Sequence, residues 1–200
     1  MSSEVFICNL ALSNIGKTNI SDLNEAGAEA RACRQFYAFC RDTMLQVYPW
    51  RFAEKTQSLG QITNDKPGAW EYAYNRPNDC LKVLSLQENY TLTPDASTPA
   101  PGPYGHAYEI EGGKVYCNLS PAILRYTWRI TDPTKFPPLF IDALSWSLSG
   151  RLAMPLTKDL GLRNSANQAA QATRLAAEMA DANEERETSD HSSELVEGRG

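Results

Sequence analysis

Arg41-Asp42-Thr43-Met44-Leu45-Gln46-Val47-Tyr48-Pro49-Trp50-Arg51-Phe52-Ala53 is the stretch on which the fold turns, because a long helical pattern ends there on a proline and gives way to two large aromatics. From Asn24 onward, Ala26, Ala30, Cys33, Tyr37, Cys40, Met44 and Val47 recur at spacings of four and three, which places them on one helix face. Glu25, Glu29, Arg31, Arg34 and Asp42 fall off that face. Asn24 is the predicted N-cap, and Glu25 in the first turn suits the positive end of the helix dipole. Pro49 disfavours the α region at Tyr48 and lacks a backbone N–H, so the helix is predicted to stop there, with Trp50 and Phe52 opening an extended segment. Pro49, Trp50 and Phe52 are thus the predicted structural junction, packed between two layers.

Upstream of this junction, Glu4 to Ile15 reads as a helix with Val5, Cys8, Leu12 and Ile15 on one face and Gly16 at its C-terminus. Downstream, Arg51 to Ile130 changes to short extended runs separated by Gly, Pro, Asn and Asp, the pattern of a small β-domain. Leu124, Tyr126, Trp128 and Ile130 alternate with Arg125, Thr127 and Arg129, which predicts one buried and one wet face. Tyr108–Glu111 and Lys114–Cys117 flank Gly112-Gly113, a pair that permits the positive φ angles of a tight hairpin.

Between Asn89 and Gly105, Pro94, Pro99, Pro101 and Pro103 stand among Thr, Ser, Ala and Gly, which predicts a long exposed loop. Helical signals return at Pro137-Pro138 and continue through Leu139, Phe140, Ala143, Leu144, Leu148 and Leu152, with Pro155 ending or kinking the helix. A last helix from about Leu162 to Asn183 carries Leu162, Ala166, Ala169, Thr173, Ala176 and Ala180 on a stripe of small residues that lets a neighbouring helix approach closely. The fold class is therefore α+β: a four-helix bundle from residues 1–50 and 133–184, interrupted by a β-rich insertion at 51–132. Residues 185–200 form a polar tail with only Leu195 and Val196 as aliphatic side chains, too few to fold alone, either frayed or ordered on a partner.

Composition narrows the function. Hydrophobic residues make up 42% of the chain, ample for a packed core. The opening Met1-Ser2-Ser3-Glu4 has no signal-like character, and no apolar run approaches the roughly 20 residues that span a bilayer, so no membrane partner is expected. Cys8, Cys33, Cys40, Cys80 and Cys117 are odd in number and lack a C-x-x-C pair, which makes them reduced core residues; no metal and no cofactor is expected. A net charge of −5 does not suit a dedicated nucleic-acid binder, which carries a basic stripe.

The chain also lacks a nucleophile elbow, a phosphate-binding loop and a His-Glu-x-x-His metal site. His106 is the only histidine outside the tail and has no recognisable catalytic partner. Paired carboxylates offer the one enzymatic alternative, a glycan-degrading, glycosidase-like protein: Glu109 and Glu111 share a strand face, Glu71 and Asp79 lie near other strands, and Tyr72, Tyr74, Tyr116, Tyr126 and Trp128 could line a sugar groove. Arg31, Arg34, Arg41 and Arg51 are interleaved with acids, a mixture that suits ion pairs between subunits or an ordinary wet face better than a DNA groove.

The order of these features resembles the tail tubular protein A family, the head-to-tail adaptors of short-tailed bacteriophages. The resemblance runs from about Val5 to about Glu184. It rests on Asn9-Leu10-Ala11-Leu12 closed by Gly16, the Ala30-to-Cys33 helix start, Arg41-Asp42 leading to Pro49-Trp50-Arg51-Phe52-Ala53, and Trp70-Glu71-Tyr72-Ala73-Tyr74. Pro77-Asn78-Asp79-Cys80-Leu81, the Gly112-Gly113 hairpin, Arg125-Tyr126, Thr131-Asp132-Pro133 and Phe136 complete it. The resemblance implies a non-enzymatic virion protein, made in the host cytoplasm and placed at the head–tail junction, where a ring of itself joins the portal protein to the tail tube or nozzle protein. A family-like ring of twelve would carry roughly −60 in total, so DNA would pass through the lumen with little net attraction and no sequence-specific binding. The implied portal-contact residues are Met179, Arg186, Glu194, Leu195 and Val196, and the tail-side contact residues are Tyr90, Leu92, Tyr104, His106 and Tyr108.

Overall fold

The computed structural model describes residues 2–88 and 106–184, and within them the chain is mixed α and β, with four helices and two antiparallel sheets. The proline-rich stretch expected as a loop and the polar tail lie outside the described residues.

Helix α1 (Glu4–Asn14) is capped by Ser3, whose hydroxyl accepts the Phe6 N–H at 3.0 Å, and it closes through Gly16 at φ 66°. That positive φ is where glycine is favoured over residues bearing a Cβ. Helix α2 (Ala28–Val47) begins later than the residue spacing predicts, with Gly27 and not Asn24 as its N-cap. The acids upstream explain the delay. Glu25 accepts the Ser21 and Asp22 N–H groups and Asp22 accepts the Asn24 N–H, so side chains satisfy amides that a longer helix would have used. Ala26 consequently precedes the helix and is exposed, and at the other end of the predicted apolar stripe Val47 is 46% exposed.

Helix α3 (Pro138–Thr157) is the hub of the helical layer, packing against α1, α2 and helix α4 (Leu160–Asn183). Pro155 sits in its last turn, and the helix ends two residues later at Thr157, capped by Lys158 in the left-handed conformation at φ 57°. Small residues on α3 make the close approaches possible. Ser149 Oγ lies 3.1 Å from the Ala11 carbonyl of α1, and a Cβ on Gly150 would collide with the Asn167 amide of α4. On α4 the buried positions are Ala166, Ala177 and Asp181, whereas Ala176 faces solvent, so the stripe lies one residue round from the predicted one in its last turns.

The junction itself is a single 3-10 turn, Arg51–Ala53, and not the start of a strand. Trp50 donates its indole N–H to the Met44 carbonyl at 2.7 Å and is 1% exposed. Its ring meets Tyr48 and Phe140 edge-on at 5.0 and 5.1 Å, and Phe52 meets Phe140 at 4.9 Å. Trp50 and Phe52 therefore pack into the helical core and not between the layers.

Strand β1 (Glu54–Ser58) pairs with β7 (Ala122–Trp128), which pairs in turn with β4 (Cys80–Glu88). The second sheet runs β2 (Gln61–Ile62), β3 (Tyr72–Asn75), β6 (Lys114–Cys117), β5 (Tyr108–Glu111). The β5–β6 hairpin forms as the sequence predicts, with Gly112 and Gly113 at φ 57° and 78°. Tyr74, Leu86, Val115, Cys117, Leu124 and Tyr126 belong to one core shared by both sheets. Along β7 the predicted apolar alternation passes from one core to the other: Leu124 and Tyr126 lie in the β core, Ile130 in the helical core, and Trp128 touches both. Thr127, expected to be wet, is fully buried because α2 covers the helix-side end of β7.

Replacing Trp50 by alanine is expected to destabilise the fold by about 3–5 kcal/mol, the usual cost of truncating a fully buried large aromatic. Urea unfolding followed by circular dichroism measures it, and a loss below about 1 kcal/mol would show that the junction carries little of the helical core.

Candidate functional site

Two groups of side chains meet at the junction, and a third lies on the second sheet. The first couples α2 to the exit of β7. Asp42 accepts from Arg41 Nε at 2.9 Å and from Arg129 Nε at 2.9 Å, while Arg41 is buried beside it and reaches Glu4 at 4.0 Å. One carboxylate thus holds two guanidinium groups, one on its own helix and one from the strand exit, an arrangement whose charge-assisted bonds fix orientation. Arg129 is the partner the sequence did not reveal.

The second group joins α4 to the turn after Pro49. Asp181, 9% exposed, accepts the Arg51 backbone N–H on both carboxylate oxygens at 3.2–3.3 Å. Burial pushes the Asp181 carboxyl above its ordinary range. The Arg51 N–H and the Arg51 positive charge oppose this shift, and the negative charge of Glu184 and Glu54 adds to it. Beside Asp181 a pocket of about 190 Å³ is walled by Trp50, Phe52, Phe140, Pro137 and Leu139, with Glu184 on its rim. Ligand clefts generally run from about 300 Å³ upward, so this pocket suits one side chain and not a cofactor.

The third group pins the loop after β2 onto the β5–β6 hairpin. Lys66 donates to Glu109 at 2.6 Å and also to Glu111, and the Trp70 indole N–H donates to Glu109 at 2.8 Å. Asp65 accepts from Lys114 and from the Tyr116 hydroxyl, both at 2.7 Å, and those bonds hold its carboxyl down to about 2. Glu109 is likewise held below the usual carboxylate range, first by Lys66 and then by Trp70. Glycoside hydrolysis needs one carboxyl that keeps its proton near neutrality, and Glu109 is tuned the opposite way. Asp79 is pushed up by burial, but the Lys55 and Tyr126 hydrogen bonds at 2.8 and 3.0 Å outweigh this and lower it.

Of the residues singled out from sequence, Met179 lies on α4 two residues before Asp181 and is 66% exposed. His106 donates its backbone N–H to the Leu86 carbonyl, which sets it beside β4, and Tyr108 is half-buried against the β core. Tyr90, Leu92, Tyr104, Arg186, Glu194, Leu195 and Val196 lie outside the described residues. Asp181 was missed because an acid inside an alanine-rich helix looks solvated; only its spacing of four from Ala177 marks it as inward-facing. All five cysteines are buried and unbridged. Among the described residues no group of three or more His, Cys, Asp or Glu is arranged to hold a metal ion, and no helix is long and apolar enough to cross a membrane.

Removing the Lys66 ammonium with Lys66→Ala is expected to let Glu109 titrate upward toward the ordinary glutamate value, because its principal stabilising charge is gone. Carboxyl-selective NMR across pH 2–6 reads this shift, and an unmoved Glu109 would show that Lys66 does not set its ionisation. The chain matches no protein-family model, and no curated protein matches it.

Proposed function

We propose that this chain is a non-enzymatic virion component, a head-to-tail adaptor of the tail tubular protein A kind. Copies assemble as a ring between the portal and the tail tube or nozzle, and DNA passes through the lumen. In this reading the four helices act as a bundle that presents the end of α4 to one partner, while the β-rich insertion faces the other. Multivalent docking supplies the mechanism: each copy contributes modest contacts, and closure of the ring makes the collective attachment persistent.

The observation that carries the reading is the convergence of the resemblance-bearing residues on one junction. Arg41-Asp42 and Pro49–Ala53 together lock α2 to the exit of β7, to α3 and to α4. A rigid coupling of this sort is what a connector needs if two partners at different ends are to hold a fixed angle. The ionisable groups that would serve a hydrolase are spent instead on ion pairs within the β layer.

Ending the chain after Glu184 is expected to preserve the fold and weaken portal binding, measured as co-sedimentation with purified portal rings. Unaltered binding would remove the tail from the account. Deleting residues 89–105 is expected to leave the chain folded and block joining of the next tail component. Negative-stain images of wild-type protein mixed with portal are expected to show rings. A reproducible glycan hydrolysis rate abolished by a single Glu or Asp substitution would overturn the adaptor reading in favour of an enzyme.

A further inference from the structure

A pocket of about 410 Å³ lies where α2, α3 and α4 meet, and its size falls within the range of small-molecule clefts. Each helix lines it with residues three or four apart, so one face of each turns toward it. Arg151 comes from α3, and Asn167, Gln171 and Arg174 come from α4. Apolar surface is added by Met44 and Val47 of α2 and by Ala170.

The charge of this lining has one sign. It holds two guanidinium groups, and none of its described residues is acidic, in a chain whose net charge is −5. Folding leaves these polar groups largely unpartnered. Arg151 stacks on Phe39 with its guanidinium carbon 5.2 Å from the ring centroid, which engages the face of the fork and not its N–H edges. It makes no hydrogen bond or ion pair among the described residues. Arg174 Nε stands 3.4 Å from Glu178 Oε1, yet it is buried without a hydrogen bond. The Asn167 and Gln171 amides also lack side-chain hydrogen bonds among the described residues. Asn167 occupies space that a side chain on α3 would need, since a Cβ on Gly150 would stand 2.2 Å from its amide oxygen. Two like charges lining one pocket repel each other until an anion lies between them.

We propose that this pocket binds an organic phosphate of about mononucleotide size, with its phosphoryl oxygens on Arg151 and Arg174 and its body against Met44, Val47 and Ala170. A phosphoryl group carries three oxygens on one centre, so two guanidinium forks can share it, whereas one fork already satisfies a carboxylate. Asn167 and Gln171 both donate and accept, which suits the hydroxyl groups or heterocycle edge of the body. The inference goes beyond the adaptor reading and does not depend on ring formation.

The test titrates the full-length chain with adenosine 5′-monophosphate, inorganic phosphate and adenosine by isothermal calorimetry. The monophosphate is expected to bind saturably, with adenosine and phosphate each weaker by about tenfold or more. Arg151→Gln and Arg174→Gln are each expected to weaken the monophosphate by about tenfold or more, the scale of a lost charge-assisted hydrogen bond. Both side chains reach solvent, so the unfolding midpoints are expected to stay near wild type. Val47→Glu, at a position 46% exposed, sets a carboxylate at the pocket and is expected to abolish binding. Arg31→Gln/Arg34→Gln removes two exposed arginines outside the pocket and is expected to bind as wild type does. A monophosphate that does not bind saturably, or that binds the Arg151→Gln/Arg174→Gln double variant as tightly as wild type, overturns the site. An equal loss in the Arg31→Gln/Arg34→Gln variant also overturns it, by reducing the binding to general surface attraction. Duplex DNA that displaces the monophosphate and binds more tightly through Arg151 and Arg174 overturns it in favour of a nucleic-acid backbone.

Discussion

Everything around the junction depends on one hydrogen bond, from the Trp50 indole N–H to the Met44 carbonyl. A helix that stops at a proline leaves its last carbonyls without intrahelical partners, and a buried tryptophan needs an acceptor for its N–H. Folding Trp50 back over the end of α2 answers both demands with one bond. The same move carries the indole against Phe140 at the start of α3, so the end of one helix and the beginning of another share an aromatic contact. Pro49 makes this geometry accessible by keeping Tyr48 extended, at φ −131° and ψ 148°.

Two carboxylates then fix what the aromatic cluster only brings together. Apolar burial is non-directional, and by itself it would tolerate some rotation of the β layers about the helices. Asp42, bonded to Arg41 and Arg129, and Asp181, bonded to the Arg51 N–H, are directional and act on opposite sides of the turn. Trp128 extends the coupling into the β layers, where it borders both cores and stacks with Lys55 and Lys135 at 5.7 and 5.1 Å.

Helix periodicity, the glycine hairpin and the proline stop were legible in the sequence because each follows from local stereochemistry. The β5–β6 hairpin needed only two residues able to hold positive φ, and α1 needed only a serine cap and a glycine close. The errors came where side chains compete with the backbone or where the tertiary setting decides. Asp22 and Glu25 captured amides at the start of α2, which no periodicity reveals. Thr127 is buried because α2 packs against the helix-side end of β7, and which face another element covers is not written in a single strand's pattern. The candidate site was half legible: Trp50 and Phe52 stood out as bulky aromatics at a helix stop, while Asp181 and Arg129 acquire their roles only from residues far away in the chain.

Asp181 also shows what a buried acid costs and what offsets that cost. An acid whose folded-state pKa is raised favours the fold only while protonated. Its contribution is lost as pH rises through the ordinary carboxylate range, and above the raised value the buried charge works against the fold. Near neutrality Asp181 therefore weighs on the isolated chain through its desolvation. Inside the chain that cost is offset in part by the Arg51 amide, which would otherwise be an orphan donor at a half-buried turn, and by the Arg51 positive charge. A neutral asparagine would satisfy the amide with less desolvation, but it would forgo the attraction between the carboxylate and the Arg51 charge.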